Sequence, residues 1–247
     1  MRRFRKLLRA LSDRTSHEAF IVARFVFMRM YAGRYPLYWP DLTWLENEPF
    51  WQAIDSFGES EGLNTQRRFF LREAAAHCMS KIGGNTAECG VFIGLGSFLI
   101  CDAHRHNLVR ARHYVFDSFE GLSPPAEVDG THWHAGDLAS SEEDVRRRLT
   151  MFDFVEYKKG WIPERFPEVA QEEFCFVHID VDLADPTVES LKFFFPRLKR
   201  GGWIVLDDYG FKTCPGATHV VKQFVAETRS ASLIELPAGG AALVRID

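Results

Sequence analysis

Two pairs of aspartates follow apolar segments of this sequence. Asp180 and Asp182 stand in FCFVHIDVDL, and a second pair, Asp207 and Asp208, stands in GGWIVLDDYG. Both apolar runs are short and rich in Val, Ile, Phe and Leu, which is typical of buried parallel strands. Open α/β sheets bind ligands at the carboxyl ends of their strands, where four carboxylates repel one another unless a cation joins them or some are protonated. The two pairs therefore predict a site for a hard divalent ion such as Mg²⁺, which prefers oxygen ligands.

A glycine-containing turn follows an earlier strand, in the segment AECGVFIGLGS. Gly90 and Gly94 allow the backbone to approach a ligand closely, but their spacing is not GxGxxG, which disfavours a nicotinamide cofactor. Glu88 precedes the turn and suits a ligand with a positive centre or an amino group. The next strand ends at Asp117, where nucleotide-binding α/β folds place an acid that accepts hydrogen bonds from both ribose hydroxyls.

The rest of the chain alternates between strand and helix patterns, and this alternation predicts the fold class. Strands are expected at residues 85–89, 113–116, 154–158, 174–179 and 203–206, and helices at 64–81, 97–107, 141–150, 186–195 and 216–227. The two apolar runs in SLIELPAGGAALVRI predict a hairpin. Such alternation indicates an α/β fold: a doubly wound, Rossmann-like sheet of seven strands, mostly parallel, with an antiparallel strand from the C-terminal hairpin.

Composition excludes several classes of protein. The net charge of −4 argues against a general nucleic-acid binder, which is usually basic. The five cysteines show no CxxC spacing, so we interpret them as reduced thiols in a cytoplasmic protein rather than as zinc ligands. The apolar run at residues 19–32 is interrupted by Arg24 and Arg29 and is shorter than the ~20 residues needed to cross a bilayer.

The first 63 residues are expected to form a helical and aromatic extension, followed by a catalytic domain over residues 64–247. Phe4, Leu7, Leu8 and Leu11 fall at helical spacing among basic residues, which predicts an amphipathic helix. We expect that helix to pack on its own domain or on a second subunit in a homo-oligomer, and peripheral contact with an anionic membrane is the alternative. The aromatic stretch at residues 31–54 suits an irregular lid or an oligomer contact.

Several motifs together resemble a known family. AECGVFIGLGS, FDSFEGL, HIDVDLADPT and FFFPRLKRGGWIVLDDYG look like the corresponding motifs of the macrocin O-methyltransferase (TylF/MycF-like) family, over residues 64–247. The members of this family are class I S-adenosylmethionine-dependent enzymes, usually Mg²⁺-dependent, that methylate sugar hydroxyls of natural products. The resemblance thus implies S-adenosyl-L-methionine and Mg²⁺ as cofactors.

The resemblance also implies roles for the acidic residues. Asp180, Asp207 and Asp208 would hold the metal, and Asp182 would support them, although the residues alone do not rank Asp182 against Asp180. A base must take the proton of the acceptor hydroxyl. Asp180 is the first candidate, and the alternatives are the histidines His178, His132 and His134.

The cofactor would lie along the first two strand ends. Glu88 would contact the methionine or ribose portion, with Gly90 and Gly94 in the turn, and Asp117 would bind the ribose hydroxyls. The adenine would have four neighbours, which are Ser118, Phe119, Ser140 and Ser141.

The function predicted from the sequence is a Mg²⁺-dependent O-methyltransferase that acts on a hydroxyl of a sugar, a glycan or a glycosylated natural product. Its partner would be a small-molecule or oligosaccharide acceptor. Two alternatives stay open. One is a catechol or phenolic O-methyltransferase, which uses the same metal chemistry on an aromatic acceptor. The other is a noncatalytic cofactor-binding subunit, although a dead site would be free to lose such costly buried charges.

Overall fold

The computed structural model describes residues 43–59, 64–104 and 111–247. The chain divides into two compact units, Met1–Glu48 and Pro49–Asp247. The basic amphipathic helix and the apolar run predicted near the N-terminus lie outside the described residues. The boundary at residue 63, the homo-oligomer and the cytoplasmic location stay predictions. Within the described segments, every helix is too short or too polar to cross a membrane.

The larger unit is built on one seven-stranded sheet. Its strands are β1 (Asn85–Cys89), β2 (His113–Asp117), β3 (Val155–Lys159), β4 (Phe174–Ile179), β5 (Leu198–Leu206), β6 (Ala231–Glu235) and β7 (Ala241–Arg245). Their order across the sheet is β3-β2-β1-β4-β5-β7-β6, and β7 is the one strand that runs in the direction opposite to the other six. The predicted fold class is therefore confirmed, including the C-terminal hairpin that inserts β7 beside β5.

Within the described residues, six α-helices accompany the sheet. They are α1 (Glu48–Ser56), α2 (Thr65–Lys81), α3 (Leu95–His104), α4 (Glu142–Arg148), α5 (Ala184–Phe194) and α6 (Pro215–Glu227). In α4 the hydroxyl of Ser141 accepts a hydrogen bond from the backbone N–H of Asp144 (3.2 Å). That helix also has acidic residues in its first turn and basic residues in its last turn, which complements the helix dipole.

Helices cover both faces of the sheet. Ile204 and Val205 are neighbours on β5, and their side chains point to opposite faces because the strand is pleated. Val205 packs in a buried cluster with Leu71 of α2, whereas Ile204 packs in a second cluster with Leu191 and Phe194 of α5. The central strands are therefore buried on both sides, which explains why their sequences are almost continuously apolar.

The register of the central strands brings the predicted acids together. Ile179 pairs with Cys89 of β1 and with Leu206 of β5, so the residues that follow, Asp180 and Asp207, leave neighbouring strands at the same edge. The backbone N–H of Asp180 donates to the carbonyl of Cys89 (2.9 Å), and that of Asp207 donates to the carbonyl of Ile179 (3.0 Å). The predicted meeting of these acids at one edge of the sheet follows from this pairing.

Two elements differ from the predictions by more than about three residues. β5 begins at Leu198 rather than at Trp203, because Leu198 already pairs with Phe174 of β4. A register irregularity after Phe174 accommodates the polar and glycine residues between Leu198 and Trp203, which resemble a loop. The stretch expected to be irregular at residues 31–54 contains α1 from Glu48 onward. Pro49 lies in the first turn of that helix, where a proline disrupts no intrahelical hydrogen bond.

Candidate active site

A cavity opens at the carboxyl ends of β1, β2 and β4. Asp117 lies on one side of it and Asp180 with Asp182 on another. Apolar side chains, among them Phe116 and Trp161, form much of the remaining wall. The cavity therefore offers both carboxylates and flat apolar surfaces to a ligand.

Asp117 is held rigidly at the edge of this cavity. Its Oδ1 accepts a hydrogen bond from the backbone N–H of Phe119 (2.7 Å), and its Oδ2 accepts one from the backbone N–H of Val91 (2.6 Å). Burial raises the pKa of Asp117, while these backbone donors lower it. Each carboxylate oxygen has a further lone pair, so Asp117 is positioned to accept hydrogen bonds from a ligand.

A second cavity adjoins the first. Five residues line both cavities, and they are Gly90, Phe92, Leu138, Asp180 and Asp182. The second cavity is also lined by Asp207, Asp208 and two arginines, Arg67 and Arg68. The two cavities thus meet at a pair of carboxylates and a pair of apolar side chains.

Phe92 and Leu138 at this junction have unusual backbone conformations. Both have positive φ angles, 46° for Phe92 and 61° for Leu138, which cost free energy in a non-glycine residue. Both large apolar side chains are exposed. The surrounding structure therefore holds two apolar groups at the open edge shared by the two cavities.

The two arginines lie in the first turns of α2 and pair with the acids of the sheet edge. Arg67 donates to a carboxylate oxygen, Oδ2, and to the backbone carbonyl (3.0 Å) of Asp207. Arg68 donates to Oδ2 of Asp180 (3.3 Å), and its Nε lies 3.5 Å from the carboxylate of Glu59. The positive charges of α2 thus compensate part of the negative charge that the aspartates concentrate here.

These neighbours move the pKa values of the two aspartates in opposite directions. Burial and the nearby Asp207 raise the pKa of Asp180 to about 6. For Asp207, burial acts in the same upward direction, but Arg68, His178 and Arg67 outweigh it and hold the pKa below its usual range. Asp207 is therefore the permanently charged carboxylate of the pair.

Asp208 belongs to a different group from Asp207. Its Oδ2 accepts hydrogen bonds from the backbone N–H groups of Val181 (3.1 Å) and Asp182 (2.7 Å). The thiol of Cys214 lies 3.6 Å from Oδ1 of Asp182 and 3.7 Å from Oδ1 of Asp208. Burial and the neighbouring acids raise the pKa of Asp182 to about 7 and also raise the pKa of Asp208.

His178 lies fully buried between β1 and β5 and links the sheet interior to the acidic edge. Its Nδ1 donates to Oε1 of Glu88 (2.7 Å), and its Nε2 lies 3.9 Å from Oδ1 of Asp207, which is too long for a hydrogen bond. Burial alone lowers the pKa of His178, but attraction to Asp207, Glu88 and Asp180 raises it to about 9.

Glu88 was predicted to contact the cofactor, and the structure places it beneath the turn instead. It is almost fully buried, accepts a hydrogen bond from Ser97 as well as the one from His178, and is absent from the walls of both cavities. Gly90 lines both cavities, whereas Gly94 lies outside their walls at the start of α3. Of the cofactor residues predicted on the first strand, Gly90 is thus the one that the structure brings to the cavities.

The four residues predicted around the adenine also differ in whether they line a cavity. Ser118 lines the first cavity, and its hydroxyl stabilises the turn by donating to the carbonyl of Gly121 (3.2 Å). Phe119 is buried in the core cluster below. Ser140 and Ser141 lie outside the walls of both cavities.

The two loop histidines proposed as bases are exposed and lie outside the walls of both cavities. The side chain of His134 is 77% exposed, and its Nδ1 lies 3.5 Å from Asp137. His132 is exposed and packs edge-on against Trp133. Trp133 lines the second cavity, but neither histidine does.

Arg67 and Arg68 were missed in the sequence, although a signal for them existed. Basic residues in the first turns of a helix are unfavourable with the helix dipole, so two adjacent arginines after the N-cap residue Asn64 indicate acidic partners elsewhere in the fold. Those partners are more than 100 residues further along the chain, and no local pattern identifies them.

The chemistry of the donors fits a divalent ion. Ligand atoms of His178, Asp180 and Asp207 lie within 4.8 Å of one another, and so do those of Asp182, Asp208 and Cys214. In the first group Nε2 of His178 is buried and has no hydrogen-bond partner among the described residues, and it could bind a cation after losing its proton. In the second group Cys214 is a poor ligand for a hard ion, since burial raises the pKa of its thiol to about 12.

Among the solved structures that share this Rossmann-like architecture are two methyltransferases. The O-methyltransferase NovP superposes with a TM-score of 0.61 at 26% identity, over 74% of this chain and 81% of its own. The calicheamicin methyltransferase CalS11 superposes with a TM-score of 0.63 at 19% identity, over 94% of this chain and 93% of its own, which shows a likeness of fold alone.

The chain belongs to the macrocin-O-methyltransferase (TylF) family, whose sequence profile matches residues 60–237. The resemblance inferred from the sequence motifs is thereby confirmed. One curated relative is the 8-demethyl-8-(2,3-dimethoxy-alpha-L-rhamnosyl)-tetracenomycin-C 4'-O-methyltransferase of Streptomyces olivaceus, which is 30% identical over 56% of this chain and 58% of its own. Another is the demethyldecarbamoylnovobiocin O-methyltransferase of Streptomyces niveus, 30% identical over 60% of each chain. The matches thus span about three fifths of these relatives.

Proposed function

We propose that this protein transfers the methyl group of S-adenosylmethionine to a hydroxyl of a sugar or a glycosylated natural product. The observation that carries the proposal is the meeting of two cavities at Asp180 and Asp182. One cavity has a rigid acid, Asp117, suited to ribose, and the other is lined by acids and arginines suited to a polar acceptor. Donor and acceptor would therefore react where the two cavities meet.

The first cavity would hold the methyl donor. Asp117 would accept hydrogen bonds from the ribose hydroxyls, and Trp161 would offer an apolar surface to the adenine. The sulfonium carries a positive charge, which Asp180 and Asp182 attract to the junction. Holding nucleophile, methyl carbon and sulfur in line supplies much of the acceleration in a transfer of this kind.

The second cavity would hold the acceptor hydroxyl and remove its proton. Asp180 was the first candidate for the base, and Asp182 is a second, because it lies at the junction and its pKa of about 7 suits proton transfer near neutral pH. A divalent ion held by Asp180 and Asp207 would lower the pKa of the acceptor hydroxyl. Arg67 and Arg68 orient those two carboxylates.

Binding of S-adenosylhomocysteine tests the cofactor assignment. Isothermal titration calorimetry is expected to show micromolar affinity for the wild type and at least about tenfold weaker binding for Asp117→Asn, because a charged acceptor of two hydroxyl hydrogen bonds is lost. Ser140→Ala is the control and is expected to bind normally, since Ser140 lies outside both cavity walls. Equal affinity of Asp117→Asn and wild type would contradict the role of Asp117.

An acceptor screen tests the reaction itself. Radiolabelled S-adenosylmethionine is supplied with rhamnosides and other glycosides that carry neighbouring hydroxyls, in competition with catechols. Label is expected in the glycosides. Transfer to catechols alone would replace the proposal by the phenolic alternative. Tight cofactor binding without transfer to any acceptor would favour a noncatalytic cofactor-binding subunit.

A further inference from the structure

The two outer strands of the sheet, β3 and β6, differ in how their edges are protected. β3 carries Glu156, Lys158 and Lys159 among its five residues, and charged side chains on an edge strand discourage pairing with another strand. β6 has the sequence ASLIE, in which Glu235 is the one charged residue. An edge with few charges can bind a further strand through its backbone. Of the two edges, that of β6 is therefore better suited to a partner.

The ladder between β6 and β7 shows which backbone groups of β6 point away from the sheet. The N–H of Ile246 donates to the carbonyl of Ser230 (2.9 Å), and the N–H of Leu236 donates to the carbonyl of Gly240 (3.1 Å). The register between these two bonds is regular, and pairs with and without hydrogen bonds alternate along an antiparallel ladder. The even-numbered residues of β6 thus bond β7, and the odd-numbered residues direct their N–H and C=O groups outward.

The free part of this edge is centred on Leu233. Among the described residues, no group bonds the backbone N–H or C=O of Leu233 or of Glu235. The N–H of Ala231 donates to the carbonyl of Thr228 (3.1 Å), which leaves the C=O of Ala231 free. In a single copy of the chain, water must satisfy these groups. A second strand at this edge would bond them instead.

A second copy of β6 fits this edge by two-fold symmetry. When two antiparallel copies are centred on Leu233, that residue lies opposite its counterpart, and the two exchange N–H···O=C bonds. Ala231 then lies opposite Glu235 of the second copy, and the N–H of Glu235 donates to the C=O of Ala231. The N–H of Ala231, which is already bonded within its own chain, is the one outward donor that this ladder leaves out.

The side chains of β6 suit the same arrangement on both faces of the sheet. Ile234 pairs with Ala242 of β7 and is 46% exposed. Ser232 of the second copy would lie opposite Ile234 and cover part of it. On the other face, Leu233 packs against the buried cluster that contains Leu243, and its counterpart would extend this cluster across the interface. Cross-strand apolar contacts of this kind stabilise paired strands.

The charges at the two ends of β6 also favour antiparallel pairing. Glu235 ends the strand, and the exposed Arg229 lies two residues before it begins. Antiparallel pairing brings the end of one strand beside the beginning of the other, so each Glu235 approaches Arg229 of the second copy. Oε1 of Glu235 accepts a hydrogen bond from Tyr209 (2.6 Å), and Oε2 stays available. A parallel arrangement would instead place like charges together, which is destabilising.

We propose that two copies of this chain associate through antiparallel β6 edges centred on Leu233, so that the two seven-stranded sheets form one continuous sheet. β7 separates β6 from β5 in the strand order, and no residue of β6 lines either cavity. The association therefore does not depend on cofactor or acceptor. It goes beyond the proposed function and is tested without measuring methyl transfer.

Disulfide cross-linking tests the centre of the pairing in the full-length protein. Opposite residues of a hydrogen-bonded pair have Cα atoms about 5.5 Å apart, which a disulfide can span. Leu233→Cys is therefore expected to give a covalent dimer on mild oxidation, whereas the five native cysteines are buried. Absence of a cross-link in Leu233→Cys would overturn the proposed pairing.

Ile246→Cys is the matched control for the cross-linking experiment. Ile246 is 54% exposed and follows β7, one strand further from the edge. Its counterpart in the second copy would lie three strand spacings away, at least about 14 Å. The Ile246→Cys variant is therefore expected to stay uncross-linked under the same oxidation. A covalent dimer of this variant, formed as readily as that of Leu233→Cys, would contradict the pairing.

Two substitutions on β6 separate association from folding. The N–H of Leu233 points outward, so Leu233→Pro keeps the β6–β7 ladder and blocks the second copy. Ile234→Lys places a lysine on the exposed side of the edge and is used if the proline variant does not fold. In sedimentation velocity at high micromolar concentration, each variant is expected to have half the mass of the wild type. A monomeric wild type would overturn the proposal, and so would a wild-type mass that the folded variants retain.

Discussion

Replacing Asp207 by asparagine is expected to lower kcat for methyl transfer about 10³-fold, an effect typical of removing a charged group from the reacting centre. Asp207 keeps its charge because Arg68, His178 and Arg67 hold its pKa low. It lines the second cavity but not the first. Affinity for S-adenosylhomocysteine is therefore expected to stay within about threefold of the wild type, measured by calorimetry beside steady-state kinetics.

A buried aspartate outside both cavities provides the matched control for this experiment. Asp129 is buried and accepts hydrogen bonds from the backbone N–H groups of Ala126 (2.9 Å) and Ala184 (2.8 Å). Asp129→Asn is expected to reduce thermal stability while kcat, measured below the melting temperature, stays near that of the wild type. Full activity of Asp207→Asn would remove Asp207 from the reacting centre. Loss of cofactor binding in that variant would indicate a general collapse of the site.

Replacing Gly90 by alanine is expected to destabilise the fold by about 3–5 kcal/mol, because two costs add. The φ angle of Gly90 is +77°, and an added Cβ would lie 1.8 Å from the backbone carbonyl oxygen of Asp180. Backbone cannot move aside as a flexible side chain can, so β1 and β4 would separate at the edge that carries the acids. Urea unfolding followed by circular dichroism measures the loss, and S-adenosylhomocysteine binding is expected to fail as well.

A substitution at Gly136 separates the cost of the positive φ angle from the cost of the steric clash. Gly136 also has a positive φ angle, +85°, but an added Cβ would have nothing within 4 Å. Gly136→Ala is therefore expected to cost about 1–2 kcal/mol, from backbone strain alone. If both variants lost the same stability, the close approach of β1 and β4 would not be the reason for glycine at position 90.

Sequence patterns located the central strands well because burial on both faces makes them continuously apolar. β1 and β4 begin and end where the patterns predicted, at Asn85–Cys89 and Phe174–Ile179. β5 was predicted too short because its first half, from Leu198, contains lysine, arginine and two glycines. Leu198 and Trp203, on either side of those residues, pair with Phe174 and Phe176 of β4 across an irregular register, and this tertiary pairing overrides the local preference for a loop.

The sequence predicted the site only in part. The reason is again that some of its contacts join residues far apart in the chain. The acids at the carboxyl ends of β2, β4 and β5 could be expected there because parallel strands end at a common edge. Whether a side chain at that edge faces a cavity depends on its neighbours across the sheet. Glu88 turns to His178, 90 residues away, and Arg67 reaches Asp207, 140 residues away. Neither partnership leaves a local periodicity in the sequence.

The insertion of β7 between β5 and β6 has a consequence for the synthesis of the protein. β7 pairs Ala241 with Leu206, and the N–H of Gly240 donates to the carbonyl of Tyr209 (2.8 Å), so both brace the turn that carries Asp207. On the ribosome, β1 to β5 emerge before these bracing residues are translated. Until then β5 presents an unpaired apolar edge, which is prone to wrong associations. The support of the turn that carries Asp207 and the covering of the β5 edge are thus acquired together, once β7 has been translated.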